Sequence, residues 1–215
     1  MSWARSVALS IFWFLLSVHF LPAQDLSTYR GFRFGMSVAA TAKQAGLKPS
    51  DAKVIHRPPA LIQELNWHPP LSRHSSRSVA DPVWNTIFSF YNGELFRIVV
   101  NYNPHQTEGL STKDIVEALS AEYGPVADSA GPSTFSLSQV ENDTKLVIAH
   151  WEDSLYSFSL FRSSYQANFG LIAVSKRLDA LARDATVEAI RTEMQQPPRE
   201  VEREPKQDEE DRSPG

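Results

Sequence analysis

Three groups of side chains in this 215-residue chain carry atoms that could do chemistry. His150, Glu152 and Asp153 close a strand-like run. A period of two puts His150 and Glu152 on one side of it, where an imidazole nitrogen and carboxylate oxygens could hold a metal or pass a proton. Glu152, Asp153 and Ser154 are equally ordinary residues of a hairpin turn. His56, His68 and His74 share a proline-broken segment with Arg57, Arg73 and Arg77. Such a loop could bind an anion or gain charge near about pH 6, although the histidine spacing matches no metal motif. Trp67, Trp84 and Trp151 could stack on a sugar or a partner side chain if they surfaced together. Each lies in or beside an expected strand, where core packing is the default.

Much other chemistry is excluded by inspection. The chain has no HExxH, no Gly-rich phosphate loop ending in Gly-Lys-Ser/Thr, no GxSxG and no GxGxxG. Zero cysteine removes disulfides, thiolate zinc sites, cysteine nucleophiles and a lipoprotein's acylated cysteine. A formal charge of -4 offers no general attraction to nucleic acid or anionic lipid. No cofactor is expected.

The ends differ from the middle. Arg5 leads an apolar run from Val7 to Leu21, then Pro22, Ala23 and Gln24. That run of about 15 residues is shorter than the roughly 20 a membrane span needs and matches a signal peptide, 1–23, cleaved between Ala23 and Gln24. Attachment to a membrane is expected only if this helix is retained. After Gln195 and Gln196, Pro197 and Pro198 open a run of Arg, Glu, Asp, Lys and Pro in which Val201 is the one aliphatic residue. Residues 193–215 therefore read as a charged disordered tail, and 24–192 as a single domain.

Within that domain, Ser37 precedes Val38, Ala42 and Ala45 at helical spacing with Gly46 as the stop, after an extended Phe32 to Phe34. Prolines break Lys48 to Pro82, where one strand and two loops are expected. From Val83 to Tyr102, two aromatic and β-branched runs flank Asn92-Gly93, which signals a β-hairpin. A three-residue loop with Gly93 left-handed puts Trp84, Phe88, Phe90, Phe96, Ile98, Val100 and Tyr102 on one face and leaves Ser89, Arg97 and Asn101 on a wetter one. A helix follows, with Ser111 as cap, Asp114 three residues on, Ile115, Leu119 and Tyr123 on one side, and Gly124-Pro125 as the end. A polar stretch from Asp128 to Asp143 leads to strands at Lys145 to Trp151, Leu155 to Arg162 and Phe169 to Ser175. A last helix, from about Leu178 to Met194, carries Leu178, Ala182, Ala185 and Ala189 on one stripe. The order predicts an α+β fold, a two-layer, mainly antiparallel sheet of about five to six strands with two to three helices packed on one face.

The segments RGFRFGMS (Arg30 to Ser37), FYNGELFRI (Phe90 to Ile98) and YGP (Tyr123 to Pro125) resemble a pattern of small, mostly uncharacterised exported bacterial proteins. In outline the plan is similar to the helix-plus-sheet modules of β-lactamase-inhibitor proteins and of small outer-membrane assembly factors. That resemblance implies binding to other proteins and no catalysis, and it carries over no site residue. The expected function is accordingly a non-enzymatic binding or accessory module, periplasmic or secreted. It would engage an unidentified protein partner through a sheet edge, the Lys48 to Pro82 loop or the tail. The alternative is a small metal-dependent or acid-base hydrolase built on His150, Glu152 and Asp153.

Overall fold

Each half of the chain opens with a glycine, a large apolar residue and a capping serine. Gly35-Met36-Ser37 and Gly109-Leu110-Ser111 both turn at the glycine (φ 83 and 81°) and start a helix at the serine. The computed structural model describes residues 25–69, 83–127, 134–135, 145–163 and 168–195. The expected signal segment with Ala23 and Gln24, the loop holding His74, Arg73 and Arg77, and everything beyond Gln195 lie outside these residues.

In chain order, a small hairpin of β1 (Thr28–Tyr29) and β2 (Phe32–Arg33) precedes helix α1 (Val38–Ala45). Strands β3 (Lys53–His56), β4 (Ile62–Trp67), β5 (Val83–Tyr91) and β6 (Glu94–Tyr102) follow. Then come a single turn, α2 (Pro104–Thr107), and α3 (Thr112–Tyr123). Strands β7 (Thr134–Phe135), β8 (Lys145–Glu152), β9 (Tyr156–Ser163) and β10 (Phe169–Ser175) run directly into α4 (Lys176–Gln195).

The expected α+β antiparallel architecture is present, with more elements than the composition suggested. β3 to β10 form one eight-stranded antiparallel sheet in the order β3-β4-β5-β6-β10-β9-β8-β7. It consists of two four-strand meanders, each preceded by a serine-capped helix, whose last strands pair with each other at the centre. The Lys48 to Pro82 region contributes two strands rather than one, and Pro58 and Pro59 sit in the connection between them.

One face carries the main core. Phe88, Phe90, Leu95, Ile98, Val100, Phe158, Leu160 and Leu171 are fully buried there beneath Ala42 of α1 and Ile115, Leu119 and Tyr123 of α3. Burying each large side chain of this set is worth roughly 2 kcal/mol. The helices are not confined to that face. Leu178 and Ala182 of α4 pack with Ile62 and Phe96 in a separate cluster on the opposite side. The alanine stripe states that α4 packs on something; it does not encode which side of the sheet.

The β5–β6 hairpin also departs from the expected register. Asn92 (φ 49°) and Gly93 (φ 87°) form a two-residue turn between Tyr91 and Glu94. The Asn92 backbone and side chain hold it by donating to and accepting from Leu61 at 2.8 and 2.9 Å. A bulge then inserts Phe96, so Phe88 faces Ile98 instead of Arg97, and a second bulge inserts Trp84. The core face is therefore Phe88, Phe90, Leu95, Ile98, Val100 and Tyr102. Phe96 belongs to the α4 side, and Trp84 is 57% exposed.

Candidate functional site

β8 and β9 run antiparallel with His150 opposite Ser159 and Glu152 opposite Ser157. Their neighbours Trp151 and Phe158 are fully buried in the main core. Alternation therefore sends His150, Glu152, Ser157 and Ser159 to the face that also carries α4. There they form a chain of contacts. Ser159 Oγ lies 2.9 Å from His150 Nδ1, and His150 Nε2 lies 3.4 Å from Glu152 Oε2. Lys176, the first residue of α4, brings its Nζ to 2.6 Å from the same Glu152 oxygen. The Lys176 ammonium, followed by the His150 contact, holds the Glu152 carboxyl below the usual glutamate range. An anionic Glu152 favours the His150 tautomer that donates from Nε2, which leaves Nδ1 to accept from the Ser159 hydroxyl.

Asp153 stands apart from this line. Its Oδ1 accepts from the backbone N–H groups of Leu155 and Tyr156, both at 2.7 Å, and its backbone oxygen accepts from Lys176 Nζ. It builds the β8–β9 turn. His150 and Glu152 thus come together as their period-two spacing implied. Ser159 and Lys176, which complete the line, arrive from a strand pairing and a helix start that lie outside any local motif.

The loop histidines are not brought together. His56 on β3 points toward the last turn of α4, its Nδ1 3.9 Å from Glu193 Oε1. His68 follows β4 and sits edge-on to Trp84 at 6.2 Å between centroids. The length of β4 separates the two by about 20 Å. Among the described residues, no group of three or more His, Cys, Asp or Glu side chains could hold a metal.

The three tryptophans have three different environments. Trp151 is fully buried, and its Nε1 donates to the Gly124 carbonyl at 2.9 Å, tying β8 to the end of α3. Trp67 is half-buried against Phe32 and Phe88. Trp84 alone stands out from the sheet. Beside it, the Asn101 side-chain amide donates to Asn85 Oδ1 at 2.9 Å.

A further concavity of about 640 Å³ lies at the opposite end of β9 from the Asp153 turn, between α2, the start of α3, the end of β9 and the start of β10. His105, Glu108, Thr112, Arg162, Asn168 and Phe169 line it. His105, Glu108 and Thr112 fall in one stretch of the chain and Arg162, Asn168 and Phe169 come from around the end of β9 and the start of β10, so no single local motif marks the site.

No known protein family, curated protein or solved structure matches this chain. Among the described residues, no helix is long and apolar enough to cross a membrane.

Proposed function

We propose that this is an exported, non-enzymatic binding module that engages another protein through the surface around Trp84. The observation that carries this reading is the bulge at Trp84. The bulge at Phe96 sends its inserted ring to the α4 side, where it is buried, whereas the inserted residue at Trp84 turns the largest side chain of β5 into solvent. Bulges of this kind re-aim side chains, and an exposed indole ringed by adaptable polar groups is the usual anchor of a protein interface. His68 and the Asn85–Asn101 amide pair supply that ring. Export rests on the amino-terminal sequence.

The test separates binding from folding. Trp84→Ala removes exposed contact area, so stability should change by no more than about 0.5 kcal/mol. A photo-crosslinking amino acid at position 84 should capture one discrete partner in the producing cell. The same group at Leu155, which is 59% exposed on the β8–β9 turn, should not. Unfolding of Trp84→Ala, or no selective adduct at position 84, sinks the reading.

One observation favours a second reading, a serine hydrolase. In the Ser159–His150–Glu152 line, His150 Nδ1 could take the Ser159 proton as Oγ attacks an acyl carbon, with Glu152 stabilising the imidazolium. A fluorophosphonate probe discriminates the two readings. Covalent labelling of the native protein that disappears in both Ser159→Ala and His150→Ala supports the hydrolase, and an unlabelled native protein removes it.

A further inference from the structure

The outward face of α4 is charged, but a line of apolar residues runs through it. Leu178, Asp179, Ala182 and Ala189 turn inward. On the opposite side Ala180, Asp184, Val187, Arg191 and Met194 follow each other at alternating steps of four and three, the spacing of a coiled-coil seam. All five are exposed, Val187 by 50% and Met194 by 81%.

We propose that this seam is the interface between two copies of this chain, their α4 helices packed antiparallel about a twofold axis at Val187. A twofold interface must be complementary to itself, and this seam is. Val187 meets its counterpart on the axis. On either side of it, short Ala180 faces long Met194 of the second copy, and Asp184 faces Arg191 of the second copy. A parallel pairing would instead place Asp184 against Asp184 and Arg191 against Arg191.

The charges are available for the exchange. Among the described residues Asp184 makes no ion pair, while Arg191 meets Glu188 at 2.7 Å with both side chains at least half exposed. Such an i,i+3 contact is worth a few tenths of a kcal/mol and does not hold Arg191 in place. The seam spans about 20 Å of helix, short for an obligate dimer, so the association is weak and reversible. It is independent of the Trp84 surface.

The chain has no cysteine, so Val187→Cys in the full-length protein places a single thiol on the proposed axis. Mild oxidation should yield a disulfide-linked dimer from Val187→Cys and not from Leu155→Cys. In that background Asp184→Arg and Arg191→Asp should each slow cross-linking by about tenfold, and the two together should restore it. All these side chains are exposed, so circular dichroism should be unchanged. Sedimentation of the unmodified protein should show a mass rising with concentration. A constant monomer mass, equal cross-linking at positions 187 and 155, or a double reversal that restores nothing each overturns the proposal.

Discussion

Glu152 is the residue whose titration the structure describes most directly. Its carboxyl touches both Lys176 and His150, and its native pKa lies below the ordinary value of about 4.3. The Lys176 contact therefore contributes fully to stability above that ordinary value and is lost as pH falls through the lowered native one. Both partners are more than a third exposed, so the contribution is at most about 1 kcal/mol. A carboxyl-carbon NMR titration should find the Glu152 midpoint depressed in the native protein and moved up in Lys176→Met. An unmoved midpoint would mean that Lys176 does not set it. At this scale the sequence was half legible. Period-two spacing put His150 and Glu152 on one side because alternation is local. Lys176 was invisible because it is 24 residues away, and only the return of β9 and β10 brings it to Glu152.

Among elements, α4 shows best how a helix is fixed to a sheet. Asp179 is 3% exposed in its first turn, and its carboxylate accepts from Arg97 Nε and Nη2 at 3.0 and 2.6 Å and from Arg183. Arg97 projects from β6, so one ion pair locks the helix to a central strand. Asp179→Ala leaves a largely buried guanidinium without its anion and should cost about 3 kcal/mol in chemical denaturation. A loss below 1 kcal/mol would mean that Leu178 and Ala182 hold the helix unaided. The side of the sheet assigned to Arg97 was legible from alternation, but that side is covered by α4 rather than wet, with Ser89 buried on it. The acid that satisfies Arg97 was not legible, since Asp179 reads locally as an ordinary first-turn acid. The helix caps were legible for the opposite reason. Ser37, Gly46, Ser111 and Gly124 act within one turn of themselves. The bulges at Phe96 and Trp84 escaped because they depend on which cross-strand partner packs best, and that choice is made by the core.

For the molecule as a whole, the decisive seam is where the two meanders meet. β6 and β10 pair from Arg97↔Val174 to Asn101↔Gly170, and the main core runs continuously beneath both meanders. Gly170 makes the pairing close. A methyl there would strike the Phe161 ring and come within 2.7 Å of the Val100 carbonyl oxygen, both of which are part of the packed sheet. Gly170→Ala should therefore cost about 2–3 kcal/mol, and an unchanged melting temperature would show that β10 can slide away from β6. With one shared core, unfolding should be a single transition. Tryptophan fluorescence reports Trp67 in the first meander and Trp151 in the second, and it should coincide in urea with far-ultraviolet circular dichroism. Two separated midpoints would mean that the halves unfold independently. The joining of β6 to β10 also orders events in time. A ribosome delivers β6 long before β10, so a strand destined for the middle of the sheet spends the rest of synthesis as an edge, with Val99, Ile98 and Val100 open to any passing strand. The last strand made is thus the one that ends the chain's susceptibility to aggregation. A truncation before Phe169 removes β10 as the last strand, together with α4, and would leave β6 permanently in that exposed state.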